Sequence, residues 1–246
     1  FSLPAPELGR DVLLRVAERR VDNASATTGT AVWAASLMLA ARLCEDYAGD
    51  VLSCGSLLEL GCGCGCPALA AAALGARAVA ASDYRQELLA TVEESRSMLE
   101  ADARARLTTL VLDWERESAA WSAGERAAAA DSTFGMVVGA EIIYEADHPQ
   151  LVARTVARRL ARGGAAERGD AFEPLALLSL GVRSERRLQQ LRDELAAAGL
   201  RVRRERELVV DDDVWALGGG EGAYIGADIG VGKCRVGAAG GGFVLL

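Results

Sequence analysis

At 246 residues the chain has room for one large α/β domain or two small ones. Its net charge of -8 argues against general nucleic-acid binding, which needs a basic surface to displace phosphate counterions. Hydrophobic residues make up 51%, ample for a core, yet no uninterrupted apolar stretch reaches the ~18 residues that a membrane helix requires.

In chain order, residues 1–27 are an N-terminal extension; the chain opens at Phe1 instead of methionine, so a preceding segment is expected. Asn23-Ala24-Ser25 is formally a glycosylation sequon, of little weight without a secretory signal. Thr30–Tyr47 reads as an amphipathic helix with Val32, Trp33, Leu37, Ala40, Leu43 and Cys44 on one face. The apolar run Leu57–Leu60 reads as strand one, followed by the loop Gly61-Cys62-Gly63-Cys64-Gly65 and a helix, Pro67–Leu74, stopped by Gly75. A second strand, Arg77–Ser82, ends at Asp83, and a third helix is expected over Gln86–Ala103. Leu107–Leu112 is a strand ending at Asp113-Trp114, and the polar, Ala-rich 115–133 reads as a loop with room for a short helix. Phe134–Ile143 is a strand leading into Tyr144; Asp147 then caps a helix to about Leu160, with Pro149 in its first turn. Leu175–Gly181 (strand), Ser184–Ala198 (helix) and Leu200–Val210 (strand) complete the alternation. Residues 211–246 are a Gly-rich tail with a last strand over Gly240–Leu246. The pattern predicts one domain over 1–246: a Rossmann-like, doubly wound, mostly parallel α/β sheet.

The loop 61–65, Asp83, Asp113-Trp114 and 141–144 all fall just beyond the carboxyl ends of successive strands, the edge where open α/β sheets bind ligands. The glycines let the backbone approach a ligand closely. A dinucleotide fingerprint wants a third glycine where Cys66 stands, and a phosphate-cradling P-loop needs a lysine that only Lys233 supplies in the whole chain. Glu59 and Asp83 suit a ligand with a ribose and a positive charge but no phosphate, and S-adenosylmethionine (SAM) has that chemistry. A tight turn without a ligand is the plainer reading of the loop.

Cys62, Cys64 and Cys66 raise metal binding as a second hypothesis, but zinc sites draw on C-x₂₋₄-C pairs, and Cys44, Cys54, Cys234 and the single His148 are scattered. No metal site is expected; the cysteines read as small side chains packed into the loop. The absence of a disulfide framework favours a reducing compartment, the cytoplasm with the nucleus as a second location. The arginine clusters at 154–168 and 183–206 read as solvated helix faces. His148 is a candidate base, but in the first turn after a cap it reads rather as a surface residue.

Four stretches in order carry a family resemblance: Thr28-Gly29-Thr30-Ala31-Val32-Trp33; Leu58-Glu59-Leu60 with its glycine loop; Leu112-Asp113-Trp114; and Val138-Gly139-Ala140-Glu141-Ile142-Ile143-Tyr144. Over residues 28 to about 210 the chain resembles the class I, seven-β-strand SAM-dependent methyltransferases, in particular the lysine methyltransferase-like family marked by an acidic-x-x-aromatic motif. The resemblance implies a seven-stranded sheet ending in an antiparallel hairpin. It implies that Gly61, Gly63 and Gly65 line the methionine part of SAM, with Glu59 in the same cofactor set, and that Asp83 accepts from the ribose hydroxyls. Asp113 and Trp114 would border the adenine, Ala140 would pack near the adenosine, and Trp33 would close the pocket. Glu141 and Tyr144 would face the methyl acceptor as the catalytic pair. Trp33, Trp114 and Tyr144 also read as plain core or sheet-edge packing. The expected activity is N-methylation of a protein lysine, by a transferase acting as a monomer on a protein, of basic character, with no nucleic-acid or membrane partner. Histidine or a small molecule as acceptor, a non-catalytic module of the same fold and an NAD-dependent oxidoreductase are the alternatives. Two departures stand out: Glu141 where relatives often carry Asp, and Gly135 where an Asp is common.

Overall fold

The computed structural model describes residues 1–19, 29–125, 133–161, 172–181, 184–208 and 243–245. A hairpin, β1 (Ser2–Ala5) with β2 (Arg10–Leu13), precedes the main sheet. It is antiparallel and buries Leu3, Ala5 and Val12, so the first part of the N-terminal extension is a packed element with its own apolar alternation.

The main sheet has seven strands: β3 (Leu57–Leu60), β4 (Val79–Asp83), β5 (Leu107–Val111), β6 (Met136–Ala140), β7 (Leu175–Gly181), β8 (Arg206–Leu208) and β9 (Phe243–Leu245). Their order is β5-β4-β3-β6-β7-β9-β8. The first five run parallel, and β9 lies antiparallel between β7 and β8. This is the mostly parallel Rossmann-like sheet with a terminal antiparallel hairpin that the sequence predicts. Strand order reverses between β3 and β6, and at such a switch point the flanking crossovers diverge and leave a crevice at the carboxyl edge.

Strand alternation divides the core. Leu57, Met136 and Val138 face one side, packed against α1 (Ala34–Glu45), α2 (Ala48–Ser53), α3 (Cys66–Leu74) and α4 (Gln86–Ser97). Leu58, Leu60 and Val137 face the other, with Val152, Val156, Leu191 and Leu195 from α7 (His148–Arg159) and α8 (Glu185–Ala197). The alanines of α3 are almost all buried, so a helix of small side chains sits close to both the sheet and α1.

Several boundaries differ from the sequence reading. Residues 30–33 are not helical: Trp33 is extended at the N-cap of α1, and the Val32 N–H donates to Glu18 Oε1 at 2.7 Å, tying this stretch to the N-terminal segment. The helix expected over Gln86–Ala103 is two, α4 and α5 (Ala101–Arg106), because Glu100 is extended and Arg96 Nε donates to the Arg104 carbonyl across the turn at 3.0 Å. The short helix allowed for in 115–133 is a helix of nine residues, α6 (Trp114–Ser122), that begins one residue earlier and is capped by Asp113, whose Oδ1 accepts from the Glu115 N–H at 2.9 Å. Within the strand expected over Leu200–Val210, residues 200–205 are not in a strand, since RVRRE offers one apolar side chain and thus no face to bury, and β8 is Arg206–Leu208; residues 209 and 210 lie outside the described residues. Residues 20–28, with the sequon and Thr28, residues 126–132, and the tail 209–242, with Lys233 and Cys234, lie outside the described residues. Gly135 also gains a reason: a Cβ there would stand 2.0 Å from the Cys54 carbonyl oxygen, so the backbone approach forbids the Asp common among relatives. No helix among the described residues is long and apolar enough to cross a membrane.

Candidate active site at the carboxyl edge

The switch point opens into a cavity of about 700 Å³. Its floor is the turn from β3 into α3. Gly61, Gly63 and Gly65 all have positive φ (57°, 51° and 76°), and Gly65 is the N-cap of α3. Side chains are excluded for a second reason: a Cβ on Gly61 would meet the Trp114 indole at 3.0 Å, and one on Gly63 would meet the Gly29 carbonyl oxygen at 3.0 Å. Gly29 itself (φ 97°) packs on Leu88 and Gly63, which fastens the segment before α1 over the loop.

Asp83 ends β4 with its side chain 5% exposed. Its Oδ2 accepts from the Gly63 N–H at 3.2 Å and its Oδ1 from the Arg85 N–H at 3.1 Å. Burial raises its pKa, and these hydrogen bonds and the Arg85 charge act against that shift. Each oxygen accepts one protein N–H and keeps a further lone pair for a ligand hydroxyl. The carboxylate is therefore oriented before any ligand arrives.

Trp33 at the head of α1, Asp113 and Trp114 at the head of α6, Ala140 at the end of β6, and Glu141 and Tyr144 beyond it all line the same cavity. Glu141 is the one non-glycine among the described residues with positive φ (53°). Its Oε1 accepts from the Gly181 N–H at 2.8 Å, and a Cβ on Gly181 would lie 2.5 Å from that oxygen, so the two residues are matched. A non-Gly residue in the left-handed region costs on the order of 1–3 kcal/mol, and such strain concentrates at functional sites.

Glu59 does not line the cavity. It is 1% exposed beneath the loop, where its Oε2 accepts from the Ala68 N–H in the first turn of α3 at 2.9 Å. Burial is the main cause that pushes its pKa to about 8, with the Asp83 charge adding to it and the Ala68 bond opposing. Strand alternation aims it at α3, so its place is under the cofactor loop, fixing the turn. The three loop thiols are likewise buried; burial raises the Cys64 pKa to about 12 and the Cys62 and Cys66 values well above the ordinary one, which leaves them as protonated packing groups. Among the described residues no group of three His, Cys, Asp or Glu side chains is placed to hold a metal ion.

The sequence reading missed Tyr84 and Arg85 and set His148 aside as a surface residue. Tyr84 and Arg85 follow Asp83 directly, and a strand-end position would have marked both. His148 is not on the surface: it is half-buried in the cavity wall, its ring edge-on to Trp114 (5.5 Å, 88°) and Tyr144 (4.3 Å, 78°). Arg187 of α8 holds the same turn, donating to the Tyr144 carbonyl at 2.6 Å.

A family model described as lysine methyltransferase matches residues 13–163, more than half of the chain. The chain belongs to the lysine methyltransferase family. In family and fold it is a SAM-dependent methyltransferase. Among solved structures it is similar to the glycopeptide N-methyltransferase MtfA complexed with SAM (22% identity, 78% of this chain and 68% of that one, TM-score 0.42). It is also similar to a protein described as a sarcosine dimethylglycine methyltransferase from Galdieria sulphuraria (12% identity, 70% of this chain, TM-score 0.51). The second likeness shows the shared fold; the methyltransferase spans 63% of that protein's length. No curated protein matches the chain. The cavity suits the family's cofactor: a glycine floor that any Cβ would fill, an oriented carboxylate for a ribose, and an indole over the loop. Its volume falls in the range of small-molecule sites.

Proposed function

We propose that this methyltransferase transfers a methyl group to the side-chain amine of a protein lysine. The observation that carries the reading is the mouth of the cavity, where aromatic and acidic side chains meet. Tyr84 (66% exposed), Tyr144 and Trp114 stand with Glu115, Glu141 and Glu145, while among the described residues Arg85 is the sole arginine or lysine of the lining. Such a lining favours an alkylammonium, through ring faces and through charge. The exposed Tyr84 places the mouth at the surface, where a side chain of a folded partner can reach it, and the chain's net charge of -8 favours a basic partner.

The assigned roles follow. Gly61, Gly63 and Gly65 would seat the amino-acid part of the cofactor, Asp83 its ribose, and Asp113, Trp114 and Ala140 its base, with Trp33 closing over it. Bound SAM supplies an activated methyl on a sulfonium cation. What remains for the protein is to orient the acceptor, exclude water and free a lone pair on nitrogen. Tyr144 provides an aromatic wall. Burial, followed by the charges of Tyr84, Asp83 and Glu145, raises its pKa above the ordinary 10, so it stays a neutral phenol. Glu141, held by Gly181, sets a carboxylate beside that wall. The expected places of action are the cytoplasm and nucleus, and the expected state is a monomer.

Tyr144→Ala tests the acceptor side. Losing one cation–π wall of about 1–2 kcal/mol should lower methyl transfer about tenfold or more while S-adenosylhomocysteine (SAH) affinity stays within a few-fold. Radiolabelled transfer and calorimetry measure the two quantities. An equal loss in both would place Tyr144 on the cofactor instead.

A further inference from the structure

The chain has a single histidine, and the fold sets it in the wall of the acceptor cavity. We propose that His148 is the base of this enzyme, taking the proton from the acceptor ammonium at Nε2. The inference rests on the reading of the cavity as an alkylammonium site.

His148 is the first residue of α7, and its Nδ1 lies 3.0 Å from the Ile142 carbonyl oxygen. A carbonyl can only accept, so the 3.0 Å contact calls for the ring proton on Nδ1. The N–H groups of Tyr144 and Glu145 also point at Nδ1 and could donate to it only in the other tautomer, but at 3.5 Å they stand at the limit of a hydrogen bond, and we assign the proton by the shorter contact. With Nδ1 committed, Nε2 carries the lone pair, and among the described residues it has no hydrogen-bond partner. The edge-on contacts to Trp114 and Tyr144, both cavity-lining, fix the plane of the ring. This is the arrangement a general base requires: one nitrogen anchored to orient the ring, the other open.

The surroundings keep the ring neutral. Burial is the main cause that lowers its pKa below the ordinary 6.5, and Arg187 on α8 acts in the same direction. Asp147 and Glu145 in the turn, together with the bond to Ile142, oppose it. From α6 the ring meets the uncharged Trp114, with Glu115 in the same cavity wall. A lysine amine has an ordinary pKa of about 10.4, so only about one in 2,500 is neutral near pH 7. In the transfer, the N–H bond of the ammonium breaks, its electron pair stays on the acceptor nitrogen, and the proton bonds to Nε2 to give an imidazolium. The imidazolium returns the proton to water at the mouth. Desolvation of the ammonium and the neighbouring sulfonium charge bring the two proton affinities together.

His148→Asn separates the roles, since the asparagine amide can still donate to the Ile142 carbonyl while Nε2 is gone. The expected result is SAH affinity within a few-fold of wild type. Methyl transfer from labelled SAM into a basic-protein fraction should fall about a hundredfold near pH 7, the low end for a lost general base, and recover towards wild type at about pH 10. Because the histidine is unique, its imidazole nitrogen signals are unambiguous in a selectively labelled sample. They should show the Nδ1–H tautomer at neutral pH, a titration midpoint below 6.5, and a shift of Nε2 when n-butylammonium is added to the SAH complex. An Nε2–H tautomer, or a transfer rate unchanged or lowered equally at every pH, would overturn the assignment. Failure of the wild type itself to bind SAH would instead overturn the cofactor reading beneath it.

Discussion

Asp83→Ala is expected to weaken SAH binding by about two to four orders of magnitude, the loss of two hydrogen bonds to a charged acceptor at about 1.5–3 kcal/mol each. The structure supplies the reason for so large an effect. The carboxylate is already desolvated and already aimed, held by the Gly63 and Arg85 N–H groups, so its reorganisation cost on binding is small. Removing it also frees the Gly63 N–H at the centre of the glycine floor, loosening the turn that carries Gly61 and Gly65. Because that loosening can itself destabilise the fold, Asp83→Asn is the companion variant. It preserves volume and an acceptor oxygen but turns the other oxygen into a donor. Both variants should lose affinity in titration calorimetry; the Asn variant, which still accepts from one of the two N–H groups while its amide NH2 faces the other, should lose less thermal stability than the Ala variant. Near-wild-type binding in either would remove Asp83 from the ribose site.

The second large effect is on stability. Glu117 of α6 lies 9% exposed against α7, where its Oε2 accepts from Arg158 (2.9 Å) and Arg159 (2.7 Å) and its Oε1 from Arg159 (2.7 Å). Glu117→Ala leaves two largely buried guanidinium groups without this partner, and breaking a buried pair in this way costs about 3–5 kcal/mol. The partial exposure of both arginines favours the lower end of that range. Denaturant unfolding should show the loss at neutral pH. The pH dependence has a definite sign. Burial alone would raise the Glu117 pKa, but the hydrogen bonds and charges of Arg159 and Arg158 bring the net value below the ordinary 4.5. A depressed folded-state pKa means the contribution is complete above 4.5 and disappears as pH falls through the lower folded value. The gap between wild type and Glu117→Ala should therefore be constant near neutrality and narrow in acid. A gap that widened in acid would contradict the ion-pair account. Glu59 and Asp83, whose values are raised, act oppositely, and subtracting the variant's curve removes them.

The same pair explains what local sequence could not display. Helix α6 sits where the chain reads as a polar loop with room for a short helix, because its buried face is organised by Glu117 reaching residues 41 and 42 positions away, not by an apolar stripe. The parallel strands were legible, since each is a short apolar run bounded by a turn, and β7 has the residues expected of it. The break between α4 and α5 carries neither glycine nor proline, so no local signal announces it.

The cavity was legible for a topological reason: residues just past strand ends share one edge of an open sheet. That rule picked out Gly61, Gly63, Gly65, Asp83, Asp113, Trp114, Glu141 and Tyr144, which share a single lining, and the family resemblance added Trp33 and Ala140 to it. It failed for Glu59, one residue inside its strand, where alternation and not proximity decides the direction. It failed for His148 as well, because a position in the first turn of a helix predicts exposure only if nothing packs there. Here the Trp114 and Tyr144 rings do. The strain at Glu141 and its fit to Gly181 depend on a contact across two strands and 40 residues, which a motif cannot encode.

The most direct test of the account is residue analysis of the methylated product. The purified chain is incubated with methyl-labelled SAM and a basic-protein fraction, and the labelled protein is hydrolysed to amino acids. The account predicts label in methylated lysine, absent with Asp83→Ala. Label in methylated histidine, label confined to small molecules, or no label from a folded chain that binds SAH would contradict it.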